Sequence, residues 1–367
     1  MTTKHHLGDL FHCRKESGKA GLPVTSVTMN NGLVQRDTLD RKSNGRLEPE
    51  GHLLIRKGDI AYNMMRMWQG ASGLAEHDGM VSPAYVVVAP TDRIDPLFAS
   101  YWFKSARMIY LFWAYSYGIT SDRLRLYFKD FAKIPVTVPP KPEQERIGRI
   151  LSTSDRVIDR TEKLIEAKRK LKKGLAQQLL TGKCRLPGFD RAWKQVPIRE
   201  LCTITYGRSQ ANIVSQSGRY AIYGTGGVVG QTDKYLHSGP AIILGRKGSI
   251  DRPFLALQPF WAIDTTFCAV PMEDVSANWL HQMFLTVKWR RYNEASGVPS
   301  LSRKTVYSIR LAKPRTDEQE RIASVLGAAD REIGLLEKKL AALHELKRGL
   351  MQKLLTGQVC VKIKETS

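Results

Sequence analysis

Two stretches of this chain carry the same hydrophobic rhythm. In the first, apolar residues recur at Ile147, Ile150/Leu151, Val157/Ile158, Leu164/Ile165, Leu171, Leu175 and Leu179. In the second they recur at Ile322, Val325/Leu326, Ala329, Ile333, Leu336, Leu340, Leu343, Leu346, Leu350 and Leu354. A spacing near 3.5 residues held over about five heptads predicts two long helices that pair along a coiled-coil seam. The pentapeptide EQERI opens both stretches, at Glu143 and again at Glu318, and LLTG closes both, 175 residues apart at each end. The copies align without a gap, and about half of their positions match, so the chain contains an internal duplication.

Local signals agree with the periodicity. Pro142 suits a first helical turn, and Thr316 with Gln319 predicts a capping box for the second copy. Glu143, Glu145, Glu318 and Glu320 complement the positive end of the helix dipole, and Gly182 and Gly357 stand where a left-handed cap is needed. The paired carboxylates of EQERI therefore read as helix-start residues before they read as acid–base chemistry. Copy one interrupts its seam with Ser154, Thr161 and Lys168, where copy two has Ala329, Leu336 and Leu343. That mismatch disfavours self-pairing and predicts that the two copies pair with each other. Gln144 to Leu180 would extend about 55 Å at 1.5 Å per residue.

The segments ahead of the two helices break into short apolar or aromatic runs punctuated by Gly, Pro and Asn, which predicts strand-rich α+β globules. AYVVVAP, from Ala84, reads as a buried strand. Faint landmarks recur: IRKGDI (55–60) with GRKGSI (245–250), and GDLF (8–11) with RELC (199–202). YGITSDRLRLYFKDFAKIPVTVPP likewise echoes SGVPSLSRKTVYSIRLAKPRT. The expected organisation is a first globule over 1–140, a helix over 141–185, a second globule over 186–316, and a second helix with its tail over 317–367.

Charge narrows the class of partner. Lys and Arg number 57 against 35 acidic residues, a net charge of +22, which predicts polyanion binding, nucleic acid first. The excess is +5 over 1–140, +7 over 141–185 and +9 over 186–316, but only +1 over 317–367, so folded basic surfaces carry it rather than a tail. No run reaches the length of a membrane span and no signal peptide follows Met1, so a cytoplasmic protein is expected. The scattered Cys13, Cys184, Cys202, Cys268 and Cys360 form no CxxC pair, and His5, His6, His12 and Cys13 lack ligand spacing.

Two diverged globules, each followed by a copy of the repeated helix that begins P-x-x-EQ-x-x-I or its like and ends LLTG, resemble the specificity subunit of type I DNA restriction-modification systems. YGTGGVVG (223–230), ILGRKGSID (243–251), FWAIDTTF (260–267) and SGVPSLSR (296–303) are similar to stretches of that family's target recognition domains. GDIAYNMMRMWQGASG (58–73) and DGMVSPAYVVV (78–88) in the first globule are similar too. The resemblance implies a non-catalytic reader of double-stranded DNA. Two target recognition domains would each read half of an asymmetric bipartite sequence, and an antiparallel coiled coil would fix the gap. Methyltransferase subunits and a restriction/translocase subunit would dock on it. No cofactor is expected on this chain; S-adenosylmethionine, ATP and Mg would act on the partner subunits.

Candidate DNA contacts are Arg66, Arg123 and Arg125 in the first globule and Arg246, Lys247, Arg252, Ser300, Ser302 and Arg303 in the second. Arg and Lys pair with guanine edges or phosphates, and Ser with either; ordinary surface charge is the bland alternative. Gln144, Arg146, Gln319 and Arg321, taken as exposed, are candidate partner contacts. Lys168, Arg169, Lys170, Lys172 and Lys173 read as a solvated helix face or partner surface. The glycines of TGG (225–227) bring backbone near a phosphate or simply close a hairpin. Enzyme readings find little purchase: there is no P-loop and no Asn/Asp-Pro-Pro-Tyr/Phe methyltransferase signature, and the E-x-K spellings at Glu166 and Glu337 lie inside the helices. The rival readings are a coiled-coil scaffold for protein partners, with little specific DNA binding, and a sequence-reading nuclease or methylase with an unrecognised site.

Overall fold

The computed structural model describes residues 2–38, 47–120 and 123–361. It divides into two compact units, Met1–Glu162 with Lys339–Ser367, and Lys163–Lys338.

Unit 1 begins with β1 (Thr3–His6), the single turn α1 (Leu7–Leu10) and β2 (Phe11–Arg14). A hairpin of β3 (Val24–Thr28) and β4 (Gly32–Gln35) follows, then β5 (Leu53–Ile55), β6 (Ile60–Asn63), β7 (Ser72–Leu74), β8 (Gly79–Val81) and β9 (Tyr85–Pro90). Helices α2 (Pro96–Trp102), α3 (Ala106–Ala114) and α4 (Phe128–Phe131) precede β10 (Pro135–Val138). The strands form an antiparallel sheet in the order β2-β9-β6-β7, a second sheet β4-β3-β8-β5 with β3 and β8 parallel, and the pair β1-β10. Helix α5 (Lys141–Leu179) starts next.

Unit 2 repeats the plan. Its strands are β11 (Lys194–Pro197), β12 (Cys202–Tyr206), β13 (Tyr220–Gly224), β14 (Gly227–Thr232), β15 (Ala241–Gly245), β16 (Phe254–Ala256), β17 (Phe260–Ala262) and β18 (Thr266–Pro271). Helices α6 (Ala277–Thr286) and α7 (Arg303–Ser308), strand β19 (Arg310–Lys313) and helix α8 (Thr316–Leu355) complete it. The orders β12-β18-β15-β16, β14-β13-β17 and β11-β19 follow those of unit 1, with β13 and β17 parallel as β3 and β8 are, but the second sheet has three strands where unit 1 has four. GDLF and RELC both lead into the first strand of the large sheet, so that landmark is a true equivalence. IRKGDI and GRKGSI are not equivalent, contrary to their spelling. The first turns into β6, while the second turns out of β15, the strand that corresponds to β6.

Each unit's core accepts the start of one long helix and the end of the other. In unit 1 Ile147, Leu151 and Leu354 join Phe11, Phe103, Phe112 and Phe131. In unit 2 the repeat-related Ile322, Leu326 and Leu179 join Trp279, Phe284 and Trp289. The helices run antiparallel inside each unit. In unit 1 Asp155 meets Lys347 at 2.5 Å and Glu162 meets His344 at 3.7 Å. In unit 2 Lys168 meets Glu332 at 2.7 Å, Arg169 meets Glu337 at 2.5 Å and Lys172 meets Asp330 at 2.5 Å. Three of the basic residues read as solvated face thus pair across the helices. The polar seam positions are satisfied locally: Ser154 and Thr161 donate to the carbonyls of Ile150 and Val157. Leu171 and Leu346 are a correction to the expected seam, for each is 57% exposed.

The glutamines of EQERI correct a second expectation. Gln144 is 1% exposed and Gln319 is fully buried, so neither side chain faces a partner. Gln144 Oε1 accepts the Asp95 N–H at 2.8 Å, and its Nε2 donates to the carbonyls of Pro139 (2.8 Å) and Arg93 (3.2 Å). Gln319 Oε1 accepts the Ser276 N–H at 2.9 Å, and its Nε2 donates to Pro314 (2.9 Å) and Asp274 (3.3 Å). Each glutamine therefore pins its helix start to the loop before α2 or α6. The capping box expected of Thr316 does not form: Thr316 is already helical, and its hydroxyl donates to the Asp274 carbonyl. Gly182 and Gly357 end the helices at φ of 71° and 72°, the left-handed region where a Cβ is strained.

Candidate nucleic-acid interface

In both units the predicted contacts fall at one structural place. The loop leaving the strand β6 or β15 meets the loop that enters α4 or α7. One backbone bond frames the meeting in each case: Leu126 N–H to the Met64 carbonyl at 2.8 Å, and Leu301 N–H to the Arg246 carbonyl at 2.9 Å. Leu126 and Leu301 are themselves 175 residues apart.

In unit 1 the two loops enclose a groove of ≈ 1080 Å³ lined by Arg66, Arg123 and Arg125 together with Met65, Trp68, Gln69, Tyr117, Ile119 and Tyr127. All three predicted arginines come together here. Arg125 is held by its main chain, which exchanges N–H and C=O with Tyr117 at 2.8 and 3.0 Å. The setting is aromatic and exposed: Tyr117 is 63% and Ile119 fully exposed, and Tyr110 and Trp113 of α3 show 61% and 50%. Aromatic faces interleaved with arginine suit nucleic acid, whose bases stack and whose phosphates pair with the cations.

In unit 2 the turn after β15 is fixed by the Arg246 and Lys247 N–H groups, both donating to the Thr265 carbonyl, and by Gly248 N–H to Pro299. A Cβ on Gly248 would lie 3.5 Å from the Thr225 hydroxyl, so the TGG turn stands beside this loop. Arg246 and Arg303 approach one ring, that of Tyr206, with guanidinium carbons 5.5 and 5.3 Å from its centroid. Arg252 is exposed; the carboxylate next to it, Asp251, is engaged by Arg290 at 2.6 Å, which holds its carboxyl below the usual range. Lys247 is exposed, and Ser300 is half-buried beside it.

Ser302 caps α7. Its hydroxyl accepts the Thr305 N–H at 3.1 Å as the cap of α7 and donates to Glu294 at 2.9 Å. The hydroxyls of Thr305 and then Ser302 hold the Glu294 carboxyl below its ordinary pKa. Tyr206 was not among the residues marked in the sequence. It follows Cys202 and Ile204 at alternate positions of β12, a parity that reads as core. The strand outruns the core at its end, and the ring is 45% exposed.

Among the described residues no three His, Cys, Asp or Glu side chains come together as a metal site, and no helix is long and apolar enough to cross a membrane. Burial pushes the Cys202 and Cys268 thiols up to about 12, which leaves them protonated and inert at neutral pH.

A profile of the type I restriction modification DNA specificity domain matches residues 7–168 and again 190–345, one match per copy of the duplicated plan. The chain belongs to this family. A curated member, the type I restriction enzyme MjaVIII specificity subunit of Methanocaldococcus jannaschii, is 22% identical over 288 residues, which cover 64% of each chain. The matched stretch thus falls just short of two thirds of that relative. Solved structures share the fold over nearly the whole length. The S subunit of a type I restriction-modification system from M. genitalium aligns over 99% of this chain and 97% of its own, with 19% identity and a TM-score of 0.65. The HsdS subunit from Thermoanaerobacter tengcongensis covers 98% and 97%, with 14% identity and a TM-score of 0.50. A chain from a study of type I complex assembly and conformational transition gives 14% identity and a TM-score of 0.53, covering 98% of both chains. Such identities carry the fold alone; the DNA specificity domain is what the family profile matches twice. At the helix starts Arg146 and Arg321 are exposed, unlike their glutamine neighbours.

Proposed function

We propose that this chain is the non-catalytic DNA-reading subunit of a type I restriction-modification complex, with each unit reading one half of an asymmetric, split sequence. One observation carries the reading. A duplicated scaffold presents the same two loops through the same backbone bond, yet fills them with different side chains, Met64, Arg66, Arg123 and Arg125 in one unit and Arg246, Lys247, Arg252 and Arg303 in the other. Equal scaffolds with unequal loops are what two different half-sites require. Helices of 39 and 40 residues would serve as the spacer, about 60 Å at 1.5 Å per residue against about 34 Å per DNA turn. Methyltransferase subunits and, through them, a restriction/translocase subunit would dock on the helices, with Arg146 and Arg321 among the contacts. S-adenosylmethionine, ATP and Mg would be bound by those partners.

The test is selection of bound sequences from random duplexes by the chain assembled with a methyltransferase subunit. One asymmetric bipartite sequence, bound with steep salt dependence, is expected; equal affinity for all duplexes overturns the reading. Insertion of one heptad in each helix should then widen the gap by about three base pairs, at about 10 Å per heptad, with both half-sites unchanged.

A further inference from the structure

The paired arginines of unit 2 carry an inference that deepens the proposed function and rests on it. We infer that Arg246 and Arg303, held against Tyr206, form a guanine-reading element, and that Tyr206 is the specificity-determining platform for that element. The neighbouring Lys247 and Arg252 serve phosphates.

Three observations converge. Both guanidinium groups lie over one exposed ring, at 5.5 and 5.3 Å, and among the described residues neither has a carboxylate within 4.0 Å. Two cations held against one ring, with no carboxylate beside either, leave a site that is complete only when an electronegative group enters. Secondly, both stems are fixed. Arg246 donates its N–H to Thr265 and accepts from Leu301 through its carbonyl, and Arg303 is the first residue of α7, whose cap Ser302 is locked to Thr305 and Glu294. A planar guanidinium resting on an aromatic face loses little freedom on binding, and its fork matches the O6 and N7 acceptors of guanine. Lys247 and Arg252 have no aromatic support among the described residues and are exposed, which suits the diffuse demand of a phosphate.

The third observation is the corresponding place in unit 1. Counted from Phe11, the counterpart of Cys202, the place of Tyr206 falls on Lys15, which has no ring, and its neighbour Arg14 is bound to Asp59 at 2.6 Å and to Glu16 at 2.5 Å, so that cation is neutralised inside the protein. Met64 occupies the place of Arg246, by the framing bond each makes, and Phe128 stands 175 residues before Arg303. The element belongs to unit 2 alone, so its loss should affect one half-site.

The experiment repeats the duplex selection with the assembled complex carrying Arg246→Lys, Arg303→Lys, Tyr206→Leu or Lys247→Ala. The two Arg→Lys changes keep the charge but remove the planar fork. They should abolish a guanine preference at one or two adjacent positions of one half-site, with a loss of roughly five- to a hundredfold against the selected sequence. The salt slope should be unchanged. Tyr206→Leu should weaken the same positions, and Lys247→Ala should lower affinity for all sequences while reducing the salt slope by about one. If the arginine variants keep the wild-type preference and bind every duplex more weakly, the pair grips phosphate and the inference is overturned. If the wild-type complex selects no sequence at all, the proposed function fails instead, and the two failures are distinct.

Discussion

Unit 1 and unit 2 order their strands alike, apart from the extra β5 of unit 1, and both hold a loop pair by a bond from a leucine N–H, yet they present opposite kinds of surface. Unit 1 offers a wide groove walled by Trp68, Tyr117 and Tyr127 with three arginines spaced around it. Unit 2 concentrates two arginines on a single ring. Unit 1 also ties up cations that unit 2 leaves open: Arg14, Asp59, Glu16 and Arg56 form one network, and the two arginines hold the Glu16 carboxyl below its usual range. The difference teaches where sequence variation is tolerated. The scaffold positions are fixed by cores and by helix starts, and the side chains of the loops contribute little to either, so they are free to diverge.

The joints between globule and helix show the same split between shared and private features, and substitution there should separate them. Glu318 is 2% exposed and accepts Arg185 through both oxygens, at 2.7 and 2.9 Å, and the Trp193 indole N–H at 2.9 Å. Its repeat mate Glu143 is half-buried and, among the described residues, accepts only the Val361 N–H, at 3.0 Å. Glu318→Ala leaves a partly buried guanidinium and an indole N–H without an acceptor and should destabilise unit 2 by about 3–5 kcal/mol. Glu143→Ala should cost unit 1 about 1 kcal/mol. Amide exchange followed unit by unit measures both, and equal losses would show that the two joints are interchangeable. The glutamines should behave oppositely. Gln144→Leu and Gln319→Leu each orphan one buried N–H and two carbonyls, so each should cost its own unit about 2–3 kcal/mol, and the two values should agree. A marked inequality would break the equivalence that the hydrogen bonds display.

How far the sequence disclosed this design depended on how local each cause was. The helices were legible because their evidence is periodic and duplicated, and Gly182 and Gly357 announced the helix ends through backbone geometry alone. The glutamines were legible as helix-start residues but not as buried ones. Their burial comes from Asp95 and Ser276, 49 and 43 residues away in sequence. The likeness of IRKGDI to GRKGSI misled for a similar reason, since a turn spelling does not say whether a strand follows or precedes it. Arg66, Arg123 and Arg125 were marked separately in the sequence and the fold brings them to one groove. Tyr206 stayed hidden because strand parity assigns it to the core, and only the length of β12 relative to that core exposes it.

The smallest expected effect tests whether the units also differ in their response to acid. In unit 2, burial lowers the pKa of His281, whose Nε2 lies 3.2 Å from the Pro253 carbonyl. Lys172 lowers it further, while that carbonyl contact and Asp330 act in the opposite sense. Burial and Arg208 lower that of His237, which stacks on Phe260 beside Thr205. A histidine whose folded pKa lies below its ordinary value of 6.5 takes up its proton first in the unfolded chain. The stability it contributes is therefore intact above pH 6.5 and is lost as the pH falls through the lower folded value. In unit 1 the displaced acid is Glu16, depressed below 4.5 by its two arginines, so its contribution is intact above 4.5 and disappears only below that. Between pH 6.5 and 5, amide protection corrected for intrinsic exchange should decline in unit 2 and hold in unit 1, and His281→Gln should remove part of that decline. A parallel decline in both units would mean that the buried histidines do not set the difference, and the acid response would then have to come from the helices that both units share.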